Sequence, residues 1–413
     1  MVEEGIFPFT AAILPQGFLN AREAGRLSVI NLDAPSKTEY VIHQSQQTGK
    51  FTRPMDPNNS PRWYHEVRYY DVDNDGYKDI ITARSGFRVG KGFHPPFGEL
   101  VWFKNPGPDL NPATPWQETI LYGGPAAQFK GPDVHIDMAD LDNDGSPELI
   151  TTNFFAEKIS VFGAPDGSTW SKVNALTGTL PRMAVISDNQ GQPFDIEVGD
   201  VNNDGRVDIL ASNHQPDNCT AKTQSNIPGR VYVLELPGDG NIYQPWPVHI
   251  IKDNIRPQPS TYPLSAPGRL APGPAHQFHA MKSMQGSTKP SILVGGDEAG
   301  KAWVLRAKKP DDPNNWEYYS DVVFDINDHY GERTSQRFLS DPAGITISTV
   351  GSPTIGYSSD DSSAYAEIYL PVFEAQQIHV LSFEPQGNKQ PVTCGSEQIY
   401  ACPVIDAVID ATP

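Results

Sequence analysis

Three stretches of the chain repeat one pattern closely enough to decide its fold class. They are EVRYYDVDNDGYKDIITARS from Glu66, HIDMADLDNDGSPELITTNF from His135 and DIEVGDVNNDGRVDILASNH from Asp195. Each reads as a short strand of alternating polar and apolar residues, an Asp/Asn/Gly turn, and a second, more apolar strand. This is a β-hairpin whose turn chemistry comes from Asn-Asp-Gly. One hairpin cannot bury its apolar faces alone, so the copies must stack on one another.

A third apolar strand follows each hairpin, at 98–105, 158–163 and 229–236, and in at least two cases a fourth, at 116–122 and 245–251. Four antiparallel strands recurring roughly every sixty to eighty residues have the period of a propeller blade. Weaker copies span 277–307 and 345–383. The N-terminal strands in TAAILPQ, GRLSVINL and TEYVIHQ lack a first strand, and the C-terminal PVIDAVID (403–410) reads as a first strand without followers. The expectation is an all-β chain, a single β-propeller domain over residues 1–413 built of four-stranded blades. Six blades are counted, and a seventh hidden in an irregular segment also fits. The N- and C-terminal strands are expected to share one blade and so close the ring. No segment carries a helical period.

Composition narrows the partners. With 31 basic and 50 acidic residues the formal net charge is −19, which repels nucleic acid and anionic membrane. No apolar run has the length needed to cross a bilayer. The opening MVEEGIFPFTAAILPQG holds a short apolar run preceded by Glu3 and Glu4 instead of basic residues. It therefore reads as a mature chain behind a start Met and not as an intact signal peptide. Cys394 and Cys402 are spaced to permit a disulfide, leaving Cys219 single. Asn218 opens the glycosylation acceptor pattern NCT, and Asn58 opens a second, NNS, weakened by Pro61. These features favour a secreted, monomeric glycoprotein.

The hairpin turns place Asp71, Asp73, Asp75 and Asp79 at positions 1, 3, 5 and 9, with Gly76 after the fifth. The second turn repeats this with Asp140, Asp142, Asp144 and Glu148, and the third with Asp200, Asn202, Asp204 and Asp208. Hard oxygen donors at this spacing suit Ca²⁺ or another divalent metal, and the spacing resembles the calcium turns of integrin-type FG-GAP repeats. The competing reading is a metal-free turn whose Asp and Asn side chains cap backbone amides. Either role is structural.

If the turns lie on one rim, the opposite rim collects the start of each first strand and the end of each second strand. There the sequence places His65, Glu66 and Arg84, then His135 and Asn153, then Asp195, Asn213 and His214, then His276, His279, Asp297 and Glu298. A pocket at the mouth of a central channel is the expected ligand site. The loop TARSGFRVGKGFHPPFG adds Arg84, Arg88, Lys91 and His94 without an acid, a positive island suited to a carboxylate. Arg84, at a strand end, is the stronger candidate, since Arg88 and Lys91 read equally as solvated loop residues. Alternation puts Glu66 and Arg68, His135 and Asp137, and Asp195 and Glu197 on one polar face, where buried charges need partners. A histidine in such company has a pKa that its surroundings tune, although for any one of them a structural role is the simpler reading. Sequence signatures of serine hydrolases, zinc proteases, P-loops and dinucleotide folds are absent.

The order His65, strand, Asp-rich turn, strand, long loop and ELVWFKNPG (65–107) resembles the propeller of fungal aldos-2-ulose dehydratases. The layout also resembles the single-domain propeller of fungal rhamnose–glucuronate lyases, and the lack of cupin domains favours that branch. The resemblance implies a carbohydrate lyase acting by β-elimination on a uronate-containing glycan. It implies a central-pocket histidine as proton carrier, with His65 and His135 as candidates. Arg84 would neutralise the carboxylate, with Tyr64 or His214 as further proton carriers. Arg88, His94, Asn153, Asn213 and His279 would bind the glycan. A keto-sugar dehydratase and a calcium-dependent lectin are the rival readings.

Overall fold

The computed structural model describes all residues except 1–5, 17–24, 45–61, 87–88, 91, 94–96, 112, 124–130, 166–168, 217–226, 259–269, 331–348, 373–374, 384–403 and 411–413. The cysteines, Asn58, Asn218, Arg88, Lys91 and His94 lie outside the described residues.

Six antiparallel sheets make the chain an all-β, six-bladed β-propeller. Blade 1 has three strands, Ala11–Pro15, Arg26–Asn31 and Glu39–Gln44. In blade 2 the first strand is split into Arg62–Tyr64 and Arg68–Tyr70, both paired with Asp79–Gly86, and Phe97–Lys104 and Gln117–Gly123 follow. Blade 3 is Ile136–Ala139, Glu148–Asn153, Lys158–Gly163 and Arg182–Ser187. Blade 4 is Pro193–Gly199, Asp208–Asn213, Gly229–Leu234 and Val248–Ile255. Blade 5 is Ala275–Phe278, Ser291–Gly295, Lys301–Ala307 and Tyr318–Asp325. Blade 6 is Thr354–Tyr357, Ala366–Val372, Gln377–Ser382 and Val404–Asp410. By its contacts the chain divides into two compact units, residues 1–192 with 241–245 and residues 193–240 with 246–413, so each unit carries three blades.

The termini do not behave as the hairpin count suggests. Val404–Asp410 pairs with Gln377–Ser382 and is the fourth strand of blade 6, not the missing first strand of blade 1. Its sequence VIDAVID alternates as any half-covered strand does, and alternation says nothing about which neighbour supplies the ladder.

Packing follows from the alternation of each strand. On Asp79–Gly86 and its neighbour, Ile80, Val101 and Phe103 face one way and join Leu27, Val29 and Ile42 of blade 1. Ile81, Ala83, Leu100 and Trp102 face the other way and join Ile136, Leu149 and Phe162 of blade 3. In the second unit Leu210 and Val231 pack on Ile292 and Leu305, while Leu293 and Val304 pack on Ile368 and Leu381. Inner strands are thus covered on both faces, which explains why second strands such as DIITARSG are buried throughout. Each fully buried Val, Leu or Ile contributes about 1.5–3 kcal/mol.

The three turns repeat one backbone. Asn74, Asn143 and Asn203 sit at φ 58°, 59° and 59°, and Gly76, Gly145 and Gly205 at 91°, 88° and 86°. Asn tolerates the left-handed region, and Gly adopts the wider angle without strain.

Candidate functional site

In the first unit the register brings a set of charges together. Tyr64 lies opposite Arg84, and Arg84 opposite Glu99. Arg84 Nε donates to Glu99 Oε2 at 2.7 Å, Nη2 to Glu118 Oε1 at 2.7 Å, and Nη1 to Glu118 Oε2 at 2.9 Å and to the Tyr64 hydroxyl at 3.2 Å. Arg62 adds Nε and Nη2 to the two oxygens of Glu99. Arg84 is 1 % exposed and Glu99 0 %. Burial opposes the charge of Glu99 and of Glu118, but the guanidiniums, Arg84 first, outweigh it and hold both below the usual carboxylate range. With Arg84 donating to its oxygen, Tyr64 gives its own proton to His43 Nδ1 at 2.5 Å, and His43 Nε2 faces Glu118 at 3.3 Å. Burial pushes His43 down to about 4 and Tyr64 up to about 12.

This is a closed network. Its guanidinium is committed to protein carboxylates, and the Tyr64 hydroxyl is inaccessible. The roles expected for Arg84, as anion receptor, and for Tyr64, as base, do not follow from this geometry. What the sequence reading missed here are His43, Glu99 and Glu118, which reach Arg84 only through the blade's register.

A second cluster joins the first strands of blades 2 and 3. Glu66 Oε2 accepts from His135 Nδ1 at 3.1 Å and from the Ile136 amide at 3.2 Å. Arg68 donates to Glu66 Oε1 at 2.5 Å and to Asp137 Oδ1 at 2.9 Å. These are the residues that alternation assigns to one polar face, and the structure pairs them across blades. His65 lies beside them, its ring centroid 6.1 Å from that of His135. Burial, then the neighbouring His135, pushes His65 down to about 3. Burial also opposes the charge of Glu66, yet His135 and Arg68 hold it at about 2. The two imidazoles therefore differ in kind. His65 is neutral, while His135 faces a carboxylate that stabilises its charged form.

The second unit repeats the clip. His276 Nδ1 meets Glu197 Oε2 at 2.9 Å, and Glu197 Oε1 accepts from the Gln277 amide. Asp195 Oδ2 accepts from the Ala275 amide. His214 is buried, donates Nδ1–H to the Pro272 carbonyl at 2.6 Å, stacks on Phe194 and lies 3.5 Å from Asp297. Asn213 bridges two strands, donating to Pro228 O and accepting from the Arg230 amide. Asn153, in the first unit, accepts from Thr151 Oγ1 and is buried. These three side chains serve the sheets that carry them. His279 lies past the end of Ala275–Phe278, at the turn end of its blade, and not at the end that bears His276. It sits there because the strand is only four residues long.

The Asp-rich turns split by their cations. Asp71 accepts from the Asp75 and Gly76 amides, and Asp79 from those of Val72 and Asn105. The Lys104 ammonium reaches Asp73 and Asp75. In the third turn Arg206 pairs with Asp204. In the second, Asp140, Asp142 and Glu148 bring one oxygen each within 4.8 Å of the others, as Asp71, Asp73 and Asp79 do in the first. Among the described residues no Lys or Arg pairs with Asp140, Asp142, Asp144 or Glu148. Gly163, which occupies the place of Lys104, leaves space beside Glu148 Oε1 for the Tyr243 hydroxyl, a buried oxygen with no hydrogen-bond partner among the described residues. The donor set of the second turn fits a hard divalent cation best, and Asp140, Asp142, Asp144 and Glu148 would hold it. Bound there, it would supply structural charge neutralisation.

No family model matches this chain, and no curated protein matches it. The ELVWFKNPG stretch has its own structural explanation. Asn105 donates its amide to Asp79 and its carboxamide to Lys78 O, and its Oδ1 accepts from Gly107 at φ 59°. The motif closes the turn of blade 2. Sequence reading also missed Asp133, a buried acid whose two oxygens accept from the Phe154 and Phe155 amides. Burial pushes it up to about 7. The helix content is slight, and no helix of the described residues is long and apolar enough to cross a membrane.

Proposed function

We propose that the chain is a secreted carbohydrate lyase that cleaves a uronate-containing glycan by β-elimination at the His65–His135 pair. The observation that carries the reading is the opposite character of two neighbouring imidazoles, one kept neutral by burial and one facing the Glu66 carboxylate. Neutral His65 takes the proton from the carbon next to the uronate carboxyl. The electron pair left behind becomes a C=C bond as the bond from the adjacent carbon to the leaving sugar oxygen breaks. His135, as imidazolium, gives its proton to that oxygen. Arg68, paired with Glu66 and Asp137, holds the Glu66 carboxylate in place against His135 and so positions the proton donor. Calcium in the second turn is structural in this scheme. A rhamnosyl-glucuronate linkage is the first substrate to try, on the resemblance to the fungal lyases. A keto-sugar dehydratase would use the same proton carriers and is separated by substrate.

Incubation with uronate-capped glycans, followed by ultraviolet absorbance of the unsaturated product, tests the proposal. His65→Ala is expected to lose at least 10²-fold in turnover while binding is kept. Absence of product from every uronate substrate would overturn it. A calcium-dependent sugar-binding protein is the second reading, favoured by the recurrence of the Glu–His clip at Glu197–His276, since a clip used twice serves assembly as readily as chemistry. Binding without turnover by the intact protein would support it.

A further inference from the structure

The second unit holds a cavity of about 370 Å³ at the turn ends of its blades, lined by Asp200, Gln277, His279, Gln285 and Tyr357 with Ile355 among its apolar walls. Its volume is in the range of small-molecule sites. Among the described residues the lining contains neither lysine nor arginine, so none of them neutralises a carboxylate or phosphate. Asp200, whose oxygens accept from the Asp204 and Gly205 amides, adds negative charge and disfavours an anion further.

The polar groups of the wall are open to a ligand. Gln277 uses its backbone amide on Glu197, and Gln285 uses its amide on Lys282 O, so neither carboxamide is engaged by those bonds. His279 bonds only through its main chain. Its amide donates to the Tyr357 hydroxyl at 3.4 Å, and that hydroxyl donates back to the His279 carbonyl at 3.2 Å. Tyr357 is thereby fixed at the wall, and the half-buried imidazole has no hydrogen-bond partner among the described residues. Burial lowers the His279 pKa, which keeps the ring neutral and able both to donate and to accept.

Two carboxamides, a neutral imidazole, an aromatic ring and a carboxylate match the alternating donors and acceptors of sugar hydroxyls over an apolar ring face. We propose that this cavity binds an uncharged sugar residue of one or two pyranose rings. His65 and His135 belong to the other unit, and sugar binding here does not depend on their chemistry.

Isothermal titration calorimetry of the full chain with neutral mono- and disaccharides and the matching uronic acids tests the proposal. Neutral sugars are expected to bind, with the uronic acids at least tenfold weaker. Gln277→Ala and His279→Ala are each expected to weaken binding tenfold or more, as is Gln285→Ala, a change at an exposed position that leaves folding untouched. No heat with any neutral sugar, a preference for uronic acid, or affinity unchanged in all three variants would each overturn it. Turnover of uronate glycans by the Gln285→Ala protein is expected to be unchanged, so failure here and failure of the lyase reading are distinguishable.

Discussion

Arg84 shows how a residue type and its surroundings can point in different directions. An arginine at a strand end, in a loop without acids, reads as an anion receptor. Folded, it lies between Glu99 and Glu118 with four hydrogen bonds to its guanidinium. Removing one partner of a buried pair leaves the other charged and dry, at a cost of about 3–5 kcal/mol. Arg84→Met is therefore expected to lower stability in denaturant titrations by about that amount. Arg84→Lys should lower it less, because the ammonium keeps a positive charge beside the carboxylates, but still measurably, because it lacks the planar fork that pairs with both. A receptor for substrate would behave otherwise, with KM raised in Arg84→Lys and stability unchanged. A loss below about 1 kcal/mol in Arg84→Met, the scale of an exposed pair, would contradict the network reading.

At the scale of the element, the Asp-rich hairpin is one design with three different charge balances. Lys104 answers the first turn and Arg206 the third, while the second relies on its own amides. Calcium is expected to raise the unfolding temperature through the second turn, and a ligand at a hundredfold above its Kd stabilises by about 2.7 kcal/mol. Asp142→Ala should abolish the calcium-induced shift in scanning calorimetry, and Asp73→Ala should leave most of it. Equal effects of the two variants, or no shift at millimolar calcium, would sink the distinction. The hairpins themselves were legible because a period of two and an Asn-Asp-Gly turn are local properties. Outer strands were harder to read. Arg182–Ser187 and Tyr318–Asp325 belong to no repeat and are only lightly covered, with Ile186 and Ser187 buried in the first and Phe324 in the second. Thr354–Tyr357, only four residues long, was missed in favour of the apolar stretch before it. Glu66 and His135, 69 residues apart, stand on the repeated polar face of their hairpins and so were legible, whereas Arg84's partners Glu99 and Glu118, 15 and 34 residues away, belong to no repeat and only the register joins them.

For the molecule as a whole, buried neutral histidines decide how stability responds to acid. His43, His65 and His379, drawn from both units, are pushed down by burial to about 4, 3 and 4, against about 6.5 for an unfolded chain. Below pH 6.5 the unfolded state binds protons that the folded state refuses. Stability contributed by each group is thus present above pH 6.5 and is lost progressively as the pH falls towards its folded value. Asp133 works in the opposite sense. Its carboxyl is raised to about 7, so the folded state takes up that proton first and gains stability as the pH falls through 7 towards the usual carboxylate value. Comparing each variant with the intact chain separates the two. His379→Asn removes a ring whose Nε2–H donates to the Tyr330 hydroxyl at 2.7 Å, the hydroxyl's own proton going to Gln377, so it should be less stable at pH 7.5, with a deficit that shrinks steadily down to pH 4.5. Asp133→Asn should behave inversely, its disadvantage growing as the pH falls from 7.5 to 4.5, because only there does the intact chain hold the extra proton. Urea titrations at the two pH values give both differences. Since His379 and Asp133 share no hydrogen-bond partner among the described residues, the double variant should show the sum of the single effects within about 0.5 kcal/mol at each pH. A His379→Asn deficit that stays constant with pH would mean that the imidazole keeps the same proton in both states, and the acid sensitivity of the fold would then have to come from its carboxylates.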